Sequence, residues 1–75
     1  MAGHLRKRSF SLAGHRTSVA LEPEFWTALE AEAERRALPL ARLVQEADAA
    51  RADPSLPLAS ALRLTVLHAL RAARD

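Results

Sequence analysis

The chain has 75 residues, a net charge of +2 and 49% apolar residues, and its length allows a single domain. No apolar run approaches the roughly 18 residues needed to cross a membrane, and the basic N-terminal segment lacks the roughly 7–15-residue apolar stretch of a signal peptide. The absence of cysteine excludes disulfides and is typical of a reducing cytosol. We therefore expect a cytoplasmic protein with no membrane association.

The apolar fraction overstates the size of the core. Alanine accounts for 17 of the apolar residues, which leaves 20 larger apolar side chains. A chain this short buries only about 60% of the surface exposed in its unfolded state. A monomer is expected to be marginally stable, and oligomerisation is the simplest way to add to its core.

Charge is divided unevenly along the chain. Residues 1–16 contain four basic and no acidic residues, whereas residues 17–75 contain seven basic and nine acidic residues. This distribution predicts a basic, partly flexible arm over residues 1–13 and a folded domain over residues 14–75. Basic arms commonly bind nucleic-acid phosphates or other anionic surfaces, although a solubilising tail has the same composition.

A strand is predicted over about 15–21. Thr17, Val19 and Leu21 alternate with Arg16, Ser18 and Ala20, which is the period of a half-buried strand. A second strand over 9–12 has weaker support, because Ala13–Gly14 interrupts its alternation. The chain therefore offers the strand over 15–21 no convincing partner, and we expect this strand to pair with the same strand of a second copy.

Three amphipathic helices are predicted after the strand, over about 23–36, 40–51 and 58–73. Prolines separate them, since the residue before a proline is disfavoured in helical geometry. In the third helix a stripe repeats every four residues and other leucines widen it, which indicates burial between two surfaces or against a partner subunit. The residues of this broad face are Leu58, Leu62, Leu64, Val66, Leu67 and Leu70.

Catalytic and metal-binding patterns are not found in the sequence. The three histidines are too widely separated for a ligand motif, so neither a metal nor a cofactor is expected. Glu30, Glu32 and Glu34 with the following arginines are interpreted as a solvated helix face, in which Glu32 and Arg36 form an i,i+4 pair. A chain of this size also cannot enclose a usual catalytic pocket, so an enzyme is not expected.

A basic segment, one alternating strand and two short helices, in that order, resemble the ribbon-helix-helix DNA-binding family. The resemblance rests on the run Arg16–Glu22 and on the helical positions Phe25, Leu29, Ala33, Leu38, Leu43 and Val44. The segment 7–18 further resembles a subgroup of small bacterial members with an additional C-terminal helix. The resemblance implies a mainly α fold with one short strand, in an intertwined homodimer whose two strands form an intermolecular antiparallel ribbon.

In that family the ribbon enters the DNA major groove, which implies a role for each face of the strand. Arg16, Ser18 and Ala20 would face the base edges, with Arg16 the strongest reader; Ala20 departs from the family's usual polar residue. Phosphate contacts are implied for Arg6, Lys7, Arg8, His15, Leu40, Ala41 and Arg42, and the first three of these could instead enter an adjacent groove. The implied core and dimer positions are Thr17, Val19, Leu21, Phe25, Trp26, Leu29, Leu43, Val44, Leu62 and Val66.

Two functions are consistent with these features. The first is a homodimeric transcriptional regulator that binds double-stranded DNA. The alternative is a protein-interaction module, or an antitoxin-like protein, that binds a partner through its C-terminal helix. The two are compatible, because an antitoxin combines DNA binding with a partner-binding tail.

Overall fold

A computed structural model describes residues 4–51 and 53–74. Two antiparallel strands, β1 (Arg6–Leu12) and β2 (His15–Leu21), precede three helices. The helices are α1 (Pro23–Arg35), α2 (Leu40–Ala49) and α3 (Leu58–Arg74), each starting where the sequence places it and ending within two residues of the predicted end. Within the described residues, none of the helices is long and apolar enough to cross a membrane.

β1 and β2 form a hairpin within one chain. The connection is Ala13–Gly14, and both residues have positive φ, 50° and 86°. Two-residue hairpin loops of the type I′ class require positive φ at both central positions, so the dipeptide that interrupts the alternation is the turn itself. The expectation that the chain offers β2 no partner is therefore wrong, as is the expectation of a single strand.

β1 also corrects the predicted arm. Residues 6–12 are a strand because Phe10 and Leu12 are buried and supply the apolar face that pairing with β2 requires. Their partners in the register are Thr17 and His15. Residues 1–3 of the predicted arm, and residue 75 at the end of the predicted domain, lie outside the described residues.

The helices pack against one face of the hairpin. Val19 and Leu21 of β2 are 4% and 0% exposed, whereas Thr17 is half-buried at the edge of this layer. Phe25 is also only half-buried. The core drawn from all five elements consists of Phe10, Leu12, Val19, Leu21, Trp26, Leu29, Ala33, Leu43, Val44, Leu58, Ala61, Leu62 and Val66.

α3 buries only part of its predicted stripe. Leu62 and Val66 are buried, but Leu70 is 59% exposed. Each i,i+4 step advances 400° around the helix and so turns the side chain 40° away from the original face. The leucine at the end of the repeat has therefore rotated out of the core.

Trp26 connects α1 to β1. Its side chain is 2% exposed, and its indole Nε1–H donates a hydrogen bond of 2.8 Å to the carbonyl oxygen of Arg6. The Phe10 ring lies 5.9 Å from the indole, centroid to centroid. The predicted core role of Trp26 thus includes a polar contact, which satisfies the indole N–H inside the protein.

Glu32 is buried, which corrects its interpretation as part of a solvated face. It is 7% exposed, and Arg35 donates two hydrogen bonds, of 2.9 Å and 2.7 Å, to its carboxylate. Arg36 donates a third. The two hydrogen bonds from Arg35, and then the one from Arg36, lower the pKa of Glu32 to about 2, against the opposing effect of burial.

The Glu32 carboxylate should contribute to the pH dependence of the free energy of unfolding in acid. Because its pKa is lower in the folded than in the unfolded chain, its stabilising effect is complete above about pH 4.5 and is lost as the pH falls towards 2. Glu32→Gln should therefore flatten the fall in unfolding free energy between pH 5 and 2, measured by urea titration with circular dichroism. Glu34→Gln, on the exposed face of the same helix turn, is the control. Equal slopes for the two variants would contradict this prediction.

Candidate nucleic-acid interface

The hairpin has a second face that points away from the helices. Strand alternation puts three side chains of each strand on it, and the register sets them side by side. None of the six is acidic, and all are exposed except Ala20, which is half-buried. We call this surface the outer face; it consists of Lys7, Ser9, Ser11, Arg16, Ser18 and Ala20.

The three predicted base-reading residues share the outer face. Arg16 lies next to the turn, with Ser18 and then Ala20 further along β2. The hydroxyls of Ser18 and Ser9 are 3.0 Å apart across the strands. None of the ion pairs in the described part of the chain involves Arg16. Its guanidinium is therefore exposed and available to an external acceptor.

The N-terminal cations do not form one cluster. Lys7 lies on the outer face, whereas Arg6 and Arg8 alternate to the side of the helices. Arg8 is used within the chain, since its guanidinium lies 5.0 Å from the centre of the Trp26 ring and 3.0 Å from a carboxylate oxygen of Glu30. The basic residues that are contiguous in the sequence therefore point to opposite faces of the hairpin, Lys7 to one and Arg6 and Arg8 to the other.

The remaining predicted phosphate contacts lie at two other points. His15 is exposed at the first position of β2, opposite Leu12. At the start of α2, the amides of Leu40 and Ala41 precede the first intrahelical bonds, whereas the Arg42 amide donates to the Pro39 carbonyl at 3.0 Å. The Arg42 side chain lies 3.3 Å from Glu46 and is exposed.

α3 exposes apolar side chains on the side opposite the core. Leu64 and Leu67 are 42% and 43% exposed, and Leu70 more so. Arg63 on the same helix donates to a carboxylate oxygen of Glu22 at 2.8 Å and lies over the Phe25 ring, which joins α3 to the start of α1.

Among the described residues, no group of three or more histidine, aspartate or glutamate side chains could hold a metal ion.

The model of the ribbon-helix-helix domain family matches residues 5–70, which is most of the chain and includes both strands. The chain belongs to the ribbon-helix-helix family. Members of this family are generally DNA-binding transcription regulators that typically bind DNA as dimers, and the fold is regulatory rather than enzymatic. No curated protein and no solved structure gave a significant match to the chain.

Within this ribbon-helix-helix chain, sequence reasoning missed half of the outer face. The sequence predicts Lys7 as a phosphate contact in a partly flexible arm and predicts no DNA contact for Ser9 or Ser11. The alternation of Ser9 and Ser11 with Phe10 and Leu12 was the available signal. It became informative only once Ala13–Gly14 was recognised as a two-residue hairpin turn.

Proposed function

We propose that this protein is a homodimeric transcriptional regulator that inserts the outer face of its β-structure into the major groove of double-stranded DNA. The observation that carries the proposal is the composition of that face: two cations, three hydroxyls, one methyl group and no acidic side chain. The helices pack on the opposite side, so the outer face can approach DNA without disturbing the core.

In the dimer proposed below, the two central β2 strands would form a two-stranded ribbon, with a β1 strand on each side of it. The major groove of B-DNA is about 12 Å wide and admits a two-stranded ribbon. Within it, the Arg16 guanidinium can donate to O6 and N7 of guanine, and Ser18 can donate or accept. Ala20 can offer only apolar contact, for instance to a thymine methyl group.

Phosphate contacts would fix the position of the ribbon without reading sequence. We propose the amides of Leu40 and Ala41, at the positive end of the α2 dipole, together with the side chains of Arg42 and His15. Arg6 and Lys7 add positive charge near the strand ends. To reach a phosphate, Arg8 would have to leave Trp26 and Glu30, because its guanidinium already contacts both side chains.

A homodimer is the second part of the proposal. Pairing with β1 occupies one edge of β2, and its other edge has the backbone groups through which the β2 strand of a second copy could add. Family membership supports this arrangement, which retains the predicted intermolecular ribbon at the centre of a larger sheet. Sedimentation equilibrium at micromolar concentration tests the dimer. We also propose a cytoplasmic location.

Binding to DNA should weaken steeply as salt rises. For each phosphate neutralised, log K should fall by about 0.9 per unit of log salt concentration. Fluorescence anisotropy with a labelled duplex, from 50 to 300 mM salt, measures this slope. A dimer using several phosphate contacts should give a slope of several units. Absence of salt-sensitive binding to any duplex recovered from a random pool would overturn the proposed function.

The exposed leucines of α3 favour a second candidate, a protein-interaction module. α3 is basic in its last turn, where Arg71 and Arg74 lie near Leu70, so the partner would present apolar and acidic side chains. A complex that is unaffected by Arg16→Ala but weakened by Leu67→Asp would favour this function. DNA binding and partner binding use different faces, and one protein can perform both.

A further inference from the structure

We infer that Lys7 of β1 is a base-reading residue, which supplies the polar contact that Ala20 of β2 cannot make. The inference rests on the proposed DNA-binding function and extends its reading surface from one strand to both. It changes the role of Lys7 from a general attraction to phosphate to recognition of guanine at one position.

The register of the hairpin puts Lys7 directly opposite Ala20. The Cβ atoms of opposed residues in antiparallel strands lie about 4.5–5.5 Å apart. The Ala20 methyl leaves the space above β2 open, and the long Lys7 side chain starts from the neighbouring strand on the same face. Its ammonium can therefore reach base edges at the end of the hairpin remote from the turn, while Arg16 reaches those near the turn.

The backbone at Lys7 is held on both sides. The carbonyl oxygen of Arg6 accepts the Trp26 indole hydrogen bond at 2.8 Å. On the other side, the Arg8 guanidinium lies over the Trp26 ring and pairs with Glu30. Because both neighbours are anchored to α1, the Lys7 side chain extends from a fixed point. A fixed starting point limits the base edges that the flexible four-carbon side chain can reach, which favours contact at one position along the groove.

The chemistry of the side chain fits guanine. Lysine and arginine both donate to O6 and N7 of guanine in the major groove, whereas alanine contacts only apolar groups such as the thymine methyl. None of the ion pairs within residues 4–51 and 53–74 uses Lys7, so its ammonium does not have to leave a partner in the protein. Lys7 is also the one lysine of the sequence.

Lys7→Ala and Arg6→Ala form a matched pair for the test. The two residues are adjacent, both are exposed and each variant removes one positive charge, but only Lys7 lies on the outer face. Duplexes are selected from a random pool at physiological salt with the unsubstituted protein and each variant. We expect Lys7→Ala to lose a guanine preference at one position, with a loss of about 5- to 150-fold for the selected duplex over a scrambled one. Arg6→Ala should weaken binding to the selected and scrambled duplexes alike, as expected for a phosphate contact, and should keep the motif.

A conservative variant separates reading from charge. Lys7→Arg should retain the guanine preference, because arginine donates to the same two acceptors. An equal loss on selected and scrambled duplexes for Lys7→Ala, with the salt slope reduced by about 0.9, would identify a phosphate contact and overturn the inference. So would an unchanged motif.

The outcomes for Lys7 differ from those for the proposed function. If Arg16→Ala removes the selected motif while Lys7→Ala leaves it intact, the protein reads DNA but not through Lys7. If the unsubstituted protein enriches no sequence and binds no duplex, both the function and the inference fail. Circular dichroism of each variant confirms that the exposed substitutions leave the fold unchanged.

Discussion

Arg16→Ala should abolish most of the discrimination between a selected DNA site and a scrambled duplex, a loss of about 5- to 150-fold in the affinity ratio. Arg16 is exposed on the outer face, and its guanidinium fits the two guanine acceptors of the major groove. Competition anisotropy with the two duplexes measures the ratio. The melting temperature should stay within about 2–4 °C, because Arg16 is exposed and contributes nothing to the core.

Arg71→Ala is the matched control for this variant. It removes the same charge from an exposed position in the last turn of α3, which is not part of the outer face. It should weaken binding to both duplexes by a similar, small factor and leave their ratio unchanged. If the two arginine variants behaved alike, general charge attraction would account for the binding and Arg16 would not be a reader.

Trp26→Ala should destabilise the protein by about 3–5 kcal/mol, the range for removing a large aromatic side chain from a core. The indole is 2% exposed, packs near Phe10 and donates to the Arg6 carbonyl. In a domain this small, a loss of that size is a large fraction of the total stability. Urea unfolding followed by circular dichroism measures it, since the variant lacks the one tryptophan that would report by fluorescence.

Trp26→Phe separates the packing of the ring from its hydrogen bond, and Leu67→Ala is the surface control. Trp26→Phe keeps an aromatic ring but leaves the Arg6 carbonyl without its indole donor, at a cost of about 1–3 kcal/mol. Leu67→Ala, at a position 43% exposed, should change stability by no more than about 0.5 kcal/mol. A Trp26→Ala variant as stable as Leu67→Ala would contradict the core role of the indole.

Local patterns in the sequence were sufficient for the helices and for β2. The strand followed from the alternation of Val19 and Leu21 with Ser18 and Ala20, because side chains of a strand point to opposite faces in turn. The helices followed from apolar spacing and from Pro23 and Pro39 at their starts. The end of α1 had a further cause, since Ala37 has a positive φ of 56° and the Leu38 amide donates to the Ala33 carbonyl, as in a Schellman motif.

The candidate site was only half predictable. Arg16, Ser18 and Ala20 could be assigned to one face from β2 alone. Lys7 and Ser9 could not, because their position on the same face depends on the pairing of two strands through the Ala13–Gly14 turn. Alanine is unfavourable at positive φ, so the dipeptide resembled an interruption rather than a turn.

The sequence by itself determined the order of the elements, the division of charge and the polarity of each strand face, because these depend on neighbouring residues and short periods. Only the tertiary structure decided that β2 pairs with β1 of the same chain and that Glu32 is buried under two arginines. These outcomes depend on which surfaces meet after the chain folds back on itself. Periodicity shows which face of an element is apolar, but packing decides what covers it and how far along the element that cover extends.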